Sequence, residues 1–252
     1  MSQNLNRHLT DFPETWYNIA SDEHFWFVWR FQILKKMLIK NCCLSNDSKC
    51  IDVGTGNGLL RTQLISHLKL NVNGTDIDKN LERYHENIDG NFYIDNVFSP
   101  LDKLKNKYDI VFLCDVIEHV LDDVDFLNAI KQYMTPNAIL VINVPALNFL
   151  HSRYDQAVGH IRRYNKKILK KALADSGYKI MDSTYWGTTL IPFLILRKFS
   201  SFFIKDNRII IEKGLKPQNL LYEYFFNRLK DIELNLIQKP VIGASITTIA
   251  ST

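Results

Sequence analysis

The sequence predicts an α/β fold with a doubly wound parallel sheet, on three observations. A glycine-rich turn separates a strand pattern from a helix pattern within residues 50–60. Further short apolar segments alternate with helical patterns along the chain, which is typical of parallel sheets. Several of these segments end in an acid. Because the carboxyl ends of parallel strands share one edge of the sheet, we expect these acids to line a ligand-binding crevice.

The glycine-rich turn carries Gly54, Gly56 and Gly58 between a strand at 51–53 and a helix with leucines four residues apart. Without Cβ atoms, the turn can bend sharply and bring its backbone close to a ligand. The N-terminal amides of the helix point at the same place, which suits a nucleotide. A dinucleotide-binding turn would have its third glycine at position 59, where this chain has Leu59.

Two carboxylates accompany the turn. Asp52 lies two residues before the first glycine, and Asp76 closes the next predicted strand. A carboxylate at the position of Asp76 can accept hydrogen bonds from the ribose hydroxyls of a nucleotide cofactor. Together with the glycines, these acids predict a nucleotide-binding corner.

We predict a single domain over residues 1–252. Its parts are an N-terminal cap, a sheet core and a helical insertion before the last strand, at 1–40, 41–186 plus 239–252, and 187–238. The N-terminal part holds a polar lead-in to residue 22 and an aromatic helix, interpreted either as a cap over the cofactor or as a core helix. The insertion is expected to contain two amphipathic helical stretches joined by a loop with Gly214 and Pro217.

The elements of the core follow from the periodicity of apolar residues and from turn residues. We predict strands at 51–53, 70–75, 91–94, 108–114, 138–144, 178–185 and 241–250, helices at 60–68, 122–133 and 166–176 with a short one from 79, and a turn at 135–137.

Composition limits the function. With a net charge of +4 and no basic block, the chain is not expected to bind nucleic acid. The four cysteines lack metal-binding or C-x-x-C spacing, and the N-terminus shows no signal-peptide pattern, so we expect a reducing cytoplasm. No apolar run approaches the roughly 20 residues of a membrane span.

Several motifs resemble those of class I S-adenosylmethionine (SAM)-dependent methyltransferases. The pattern D-x-G-x-G-x-G from Asp52 is similar to their first motif, and Asp76-Ile77-Asp78, Tyr93-Ile94-Asp95-Asn96 and residues 108–119 follow in order. His24-Phe25-Trp26-Phe27 and the D-x-x-x-G-H-x-R-R-Y pattern of 155–164 are similar to a subgroup met among glycan and cell-envelope biosynthesis enzymes. The resemblance covers about residues 23–185 and the last strand. It implies a Rossmann-like, seven-stranded sheet whose last strand is antiparallel.

The resemblance also implies how SAM is bound. The glycine turn would lie near the methionine moiety and Asp76 on the ribose hydroxyls, while Asp95 and the amide of Asn96 would contact the adenine edge. Cys114 and Asp115 would border the methyl group. Asn96 departs from the family pattern, which has a small residue there. The cofactor-binding residues expected are Asp52, Gly54, Gly56, Gly58, Asp76, Ile77, Asp95, Asn96, Cys114 and Arg30.

Methyl transfer to a hydroxyl is helped by a general base near neutrality, and histidine is the natural choice. His119 after the fourth strand, and His151 and His160 after the fifth, are expected to face the crevice. Structural roles are the alternative: a helix cap or a hydrogen bond to a backbone carbonyl for His119, and a contact with Asp155 for His160. We predict His119, His160 and Asp115 as the catalytic groups.

Asp115, Glu118 and His119 have the spacing i, i+3 and i+4, which would place them on one face of a helix start. This resembles the E-x-x-E-H metal site of ubiquinone-pathway O-methyltransferases, with Asp in place of the first Glu. A divalent ion there would lower the pKa of an acceptor hydroxyl. Because similar turns occur in metal-independent relatives, we predict no metal and keep a divalent ion as the open alternative.

We therefore predict a SAM-dependent methyltransferase that releases S-adenosylhomocysteine and acts on a small-molecule, glycan-linked or lipid-linked acceptor, at oxygen rather than nitrogen. One alternative is an NAD-dependent oxidoreductase or epimerase, disfavoured by Leu59 and by the lack of a suitable Tyr-x-x-x-Lys pair. Another is a non-catalytic SAM-binding protein. The insertion at 187–238 is expected to pack on the core as a lid, with a membrane-surface contact or a homodimer as alternatives.

Overall fold

The protein is described from a computed structural model that covers residues 17, 20–42, 44–204, 206–215 and 220–252. The predicted lead-in therefore lies mostly outside the described residues. The strands are β1 Lys49–Val53, β2 Asn71–Asp76, β3 Phe92–Ile94, β4 Tyr108–Cys114, β5 Met134–Pro145, β6 Lys179–Trp186 and β7 Ser245–Ser251. The helices are α1 Phe25–Asn41, α2 Leu59–Leu68, α3 Asp123–Ile130, α4 Arg153–Ala157, α5 Lys166–Asp175, α6 Ile191–Ser201, α7 Asn207–Leu215 and α8 Leu220–Leu236.

The seven strands form one sheet in the order β3-β2-β1-β4-β5-β7-β6. The first five strands pair in parallel, and β7 runs antiparallel between β5 and β6. The order of strands along the chain reverses between β1 and β4, so a crevice opens at the carboxyl ends of these two strands. The predicted α/β class, the strand number and the antiparallel last strand are confirmed.

Helices cover both faces of the sheet. In β1, Cys50 points to the face where α1 and α2 bury Leu34 and Leu64. Its neighbour Ile51 points to the other face, where α3 buries Leu127. Because both faces are covered, the central strands are apolar on both sides rather than alternating with polar residues. Burial of both faces therefore explains the continuous apolar segments from which these strands were predicted.

The prediction of a turn at 135–137 is wrong, because these residues lie inside β5. Met134 pairs with Tyr108, and the next pair is Ile139 with Ile110. Residues 135–138 of β5 therefore lie opposite the single residue Asp109 of β4 and form a bulge. Asn137 has a φ of +64° within this bulge. Thr135, Pro136 and Asn137 are residue types that usually end a strand or helix, but in this protein they bend a strand that continues. The helix predicted over 122–133 is shorter, because α3 ends at Ile130. A short 3-10 turn over Lys131–Tyr133 follows it.

The helix α1 lies between the sheet and the insertion. His24 caps its N-terminus, because Nδ1 of this residue accepts a hydrogen bond from the Trp26 amide at 3.1 Å. Its N-terminal aromatic residues pack on the insertion, with the ring of Phe25 stacked on Phe226 of α8 at 4.7 Å. The helix therefore links the insertion to the core.

Among its described residues, the insertion contains three α-helices, α6, α7 and α8, rather than the two expected. Gly214, predicted in a loop, lies within α7, and Pro217 lies outside the described residues. The carboxylate of Glu233 accepts hydrogen bonds from the amides of Gly187 at 2.6 Å and Thr189 at 3.0 Å, which ties α8 to the end of β6. None of the described helices is long and apolar enough to cross a bilayer.

Candidate active site

A cavity of about 740 Å³ opens at the carboxyl ends of the central strands and extends beneath the insertion. This volume is within the range of about 300–1,000 Å³ typical of ligand-binding sites. All but one of the residues predicted for the site line this cavity, namely Asp52, Gly54, Gly56, Asp76, Ile77, Asp95, Asn96, Cys114, Asp115, Arg30, His119 and His160. Gly58 is not among the lining residues.

The glycine turn forms one wall. Gly56 has a φ of +57°, and a Cβ there would lie 2.9 Å from the ring of Tyr17, so a side chain is excluded. Gly58, with a φ of +78°, begins α2 and packs against Ile88, where a Cβ would lie at 2.4 Å. Gly54 and Gly56 thus face the cavity, whereas Gly58 shapes the turn from behind.

The carboxylate of Asp52 holds this turn from below. It is almost fully buried and accepts a hydrogen bond from the Thr55 hydroxyl at 2.7 Å. Burial raises the pKa of Asp52 to about 6, against the opposing effect of this hydrogen bond. At pH 7, which lies above this value, the group is mostly ionised.

Asp76 closes β2 and faces the cavity with a carboxylate already held by three amides. Oδ2 accepts from Gly56 at 3.0 Å, and Oδ1 accepts from Ile77 at 2.8 Å and from Asp78 at 3.2 Å. A carboxylate offers about four acceptor positions, so roughly one remains for a ligand. Burial raises the pKa of Asp76 above its ordinary value.

Asp95 and Asn96 follow β3. Asp95 accepts hydrogen bonds from the Tyr133 hydroxyl at 2.5 Å and the Leu101 amide at 2.9 Å, which fixes its orientation. The side-chain oxygen of Asn96 accepts from the Phe98 amide at 3.0 Å, so this larger residue is accommodated within its own loop. Both residues face the cavity.

An ion pair lies at the end of β4. Arg30 of α1, 5% exposed, contacts the Asp115 carboxylate at 2.7 Å through Nη1. The other oxygen of Asp115 accepts from Asn143 Nδ2 at 2.8 Å. In turn, the side-chain oxygen of Asn143 accepts hydrogen bonds from Trp186 Nε1 at 3.0 Å and the Thr247 hydroxyl at 2.8 Å. Five elements, α1, β4, β5, β6 and β7, therefore meet at the floor of the cavity.

His119 and His160 form an edge-to-face pair, with ring centres 4.9 Å apart. His119 Nδ1 lies 3.1 Å from the carbonyl oxygen of Gly159 and donates to it. Burial and the neighbouring His160 lower the pKa of His119 to about 3. Burial also lowers the pKa of His160, but its partner Asp155 opposes this effect. Both rings are therefore neutral near pH 7.

Asp155 orients His160. Its Oδ1 lies 3.0 Å from His160 Nδ1 and 2.7 Å from Arg163 Nε. Burial alone would raise the pKa of Asp155, but these two partners lower it below its usual range. The ionised Asp155 thus accepts a hydrogen bond from Nδ1–H, so that Nε2 carries the lone pair of the neutral ring. His151 contacts only the backbone oxygen of His160 among its described partners, at 3.2 Å, and is not among the lining residues.

The expected convergence of Asp115, Glu118 and His119 on one point is wrong. The segment forms a 3-10 turn over Ile117–His119, and Asp115 precedes it with a φ of +59°. Instead, Glu118, His119 and His160 bring one potential ligand atom each within 4.8 Å of the others, so this trio could hold a metal ion. Both oxygens of the fully buried Glu118 lack a hydrogen bond among the described residues, and burial raises its pKa well above the ordinary value.

Several residues of the site were not predicted. Tyr17 lies in the segment taken as a polar lead-in, and Arg197 lies in the insertion, 4.0 Å above the ring of Tyr154. Asn143 is a polar residue near the end of an apolar strand, and that contrast could have identified it. Arg197 interrupts an apolar helical run in the same way. No such contrast with its sequence neighbours marks Tyr154, so the sequence could not have identified it as a residue of the site.

The sequence is similar to known methyltransferases. A family model described as a methyltransferase domain matches residues 29–183. A ubiquinone biosynthesis O-methyltransferase of Arabidopsis thaliana is 31% identical over 102 residues, which are 38% of this chain and 31% of that protein. The chain thus matches about a third of the length of this curated relative.

Solved structures share the fold at low sequence identity. A putative sarcosine dimethylglycine methyltransferase from Galdieria sulphuraria superposes with a TM-score of 0.57 at 12% identity, over 89% of this chain and 85% of that one. Phosphoethanolamine N-methyltransferase 2 of Haemonchus contortus, solved with S-adenosyl-L-methionine, gives 0.56 at 17% identity, over 88% and 52% of the two chains. At such identities the likeness shows the fold alone.

Proposed function

This chain belongs to the class I SAM-dependent methyltransferases, and from that premise we propose that it methylates a hydroxyl group of an acceptor with an apolar portion. The observation that carries the proposal is the Asp155–His160 pair, which lies in the wall of the same cavity as the glycine turn. A neutral, oriented imidazole is suited to accept the proton that a hydroxyl loses as it is methylated.

The cavity fits the cofactor. SAM supplies a methyl group that is already activated on a sulfonium sulfur. Asp76 and Asp95 present acceptors for ribose hydroxyls and the adenine amino group, with Ile77 and Asn96 beside them. Two buried donors at the same crevice, Thr75 Oγ1 and Arg30 Nε, lack hydrogen-bond partners within the described part of the chain. They support a polar ligand at this place.

The residues around the methyl group would hold the reacting atoms in line. Asp115 is fixed by Arg30 and Asn143, and the neighbouring Cys114 stays a thiol because burial raises its pKa well above the ordinary value. Rigid orientation of donor and acceptor supplies a large part of the rate enhancement of a displacement reaction.

We assign the base to His160 rather than His119. A group with a pKa of about 3, as at His119, accepts a proton poorly near pH 7. At His160, the Asp155 carboxylate stabilises the imidazolium that forms when Nε2 takes the proton. His119 packs against this ring and restricts its position.

The acceptor side of the cavity is mixed in character. Three residues of the insertion, Leu194, Ile210 and Phe226, line it. The guanidinium of Arg197 lies at the same wall, over the ring of Tyr154. Such a wall suits a small or lipid-linked molecule that combines an apolar portion with a polar or anionic group.

The test begins with calorimetric titration of SAM, S-adenosylhomocysteine and NAD. We expect binding of the two adenosyl-sulfur ligands only. Transfer of a labelled methyl group is then compared between alcohols or phenols and amines of equal chain length. The His160→Asn variant should lose about 100-fold or more in turnover with little change in SAM affinity. The control is His151→Asn, which alters a neighbouring histidine outside the cavity. Preferential labelling of amines would refute the assignment to oxygen.

The Glu118–His119–His160 trio favours one variant of this mechanism, in which a divalent ion lowers the pKa of the acceptor hydroxyl. Removal of metal with EDTA distinguishes the two. Unchanged turnover supports His160 as the base, whereas loss of turnover that Mg²⁺ or Mn²⁺ restores supports the ion.

A further inference from the structure

The helix α6 shows an inverted distribution of polarity. Ile195, Phe199 and Phe203 recur every four residues along its outer side and the turn that follows, and they are 36%, 61% and 89% exposed. Leu196, three residues before Phe199, is 67% exposed. Ser201, on the opposite side of the helix, is 3% exposed. A helix that packs on a core normally turns its apolar side inward. Here the bulky apolar side chains face away from the protein.

The helix α8 continues this surface. Leu221, Tyr224 and Phe225 follow one side of the helix and are 76%, 60% and 46% exposed. The rings of Phe193 on α6 and Phe225 on α8 contact each other at 5.7 Å, so the two exposed sides join. We call the surface formed by these exposed side chains of α6 and α8 the outer face. Contiguous exposed apolar patches of this kind mark interaction sites.

The insertion carries an excess of cationic residues, and Arg228 places one of them on the outer face, 5.1 Å from the centre of the Tyr224 ring. Within 187–238, Lys and Arg outnumber Asp and Glu by eight to five. Two of the acids, Glu223 and Glu233, turn toward the core and accept hydrogen bonds from backbone amides. Among the cations, Lys230 is buried and Arg197 lies over the ring of Tyr154 in the cavity. Arg208 and Arg228 are exposed, as is Asp206. A partner with an apolar interior and an anionic surface matches this arrangement.

The outer face also borders the cavity. Phe193 and Leu196 line the cavity and are exposed as well, at 38% and 67%. The apolar surface of the outer face is therefore continuous with the wall of the cavity at these two residues.

We propose that the outer face docks on an anionic lipid bilayer and that the acceptor enters the cavity from this bilayer. The second half of the proposal rests on the proposed function. The described helices are too short or too polar to span a membrane, so the contact is with its surface. A second copy of the chain fits this face less well. A two-fold contact presses the same surface of both copies together, so each exposed arginine would face a surface of like charge.

Sedimentation of the full chain with vesicles of phosphatidylcholine, with or without phosphatidylglycerol, tests the docking. We expect binding to the anionic vesicles that weakens with salt. The double variant Phe199→Ser/Phe203→Ser should bind at least about tenfold more weakly, since each phenylalanine loses its apolar burial. The control is Ile168→Ser, which removes a 45% exposed apolar residue of α5 outside the insertion. Arg228→Glu should weaken binding to anionic vesicles only.

Several outcomes overturn the docking: no sedimentation with anionic vesicles, equal binding by the double variant, or equal loss in the Ile168→Ser control. A dimer in analytical ultracentrifugation that Phe199→Ser/Phe203→Ser disrupts, without vesicle binding, assigns the face to a second copy instead. SAM binding is measured in parallel. A chain that binds SAM but not vesicles refutes the docking alone, and one that binds vesicles but not SAM refutes the methyltransferase site alone.

Discussion

Substitution of Asp76 by alanine tests how the cofactor is held. The carboxylate already accepts amide hydrogen bonds from Gly56, Ile77 and Asp78, which leaves about one acceptor position for a ribose hydroxyl. A hydrogen bond to a charged group contributes about 1.5–3 kcal/mol. Loss of this bond therefore weakens SAM binding by roughly 10- to 150-fold. We expect the upper part of this range, because the Gly56 amide in the glycine turn loses its acceptor as well.

Calorimetric titration of SAM and S-adenosylhomocysteine measures the effect, with urea unfolding to verify the fold. Asp78→Ala is the matched control, since its carboxylate caps the Asn80 amide at 2.9 Å and does not line the cavity. Wild-type affinity in Asp76→Ala would refute the assignment of this carboxylate to the ribose. So would an equal loss in Asp78→Ala, which would point to a general effect on the loop.

Further predictions concern buried charges at the site. Because the pKa of Asp52 is raised from 3.8 to about 6, the folded state holds its proton more tightly than the unfolded state, so stability falls as the pH rises from about 4 to about 6. The free energy of unfolding should fall by at most about 3 kcal/mol over this range, and Asp52→Asn should not show this decrease. Urea unfolding of both proteins at pH 4 and pH 7 measures it, and an equal decrease in the two would contradict the prediction. Arg30→Met leaves the Asp115 carboxylate without its cation and should destabilise the fold by about 3 kcal/mol. Adding Asp115→Asn, which removes the unpaired charge and tolerates the positive φ of this residue, should restore part of that stability. Strictly additive effects in a double-mutant cycle would contradict the coupling.

The parts of the site that depend on local spacing could be predicted from the sequence. The glycine turn and the acids closing β2 and β3 each follow directly from a strand, and parallel strands deliver such residues to one edge of the sheet. Asp76 and Asp95 line the cavity for this reason. The sheet itself was predictable because its strands are apolar on both faces.

Contacts between distant segments could not be predicted in this way. Glu118 meets His160 through a loop more than 40 residues later, so the spacing of residues 115–119 suggested the wrong third partner, Asp115. The contact of Arg197 with Tyr154 also depends on tertiary packing. At 135–137, turn-forming residues lie in a strand because pairing with β4 holds them in a bulge.

The place of β7 in the sheet bears on the order in which the protein can mature during synthesis. This strand comes after all the other described elements along the chain, yet it pairs with both β5 and β6. Its Thr247 also donates to Asn143, which positions Asp115. Although domains generally begin to fold from the N-terminus as they are synthesised, the floor of this cavity stays incomplete until β7 has emerged from the ribosome. A nascent chain can thus assemble its glycine turn early, but it becomes competent for methyl transfer only after translation has passed residue 251.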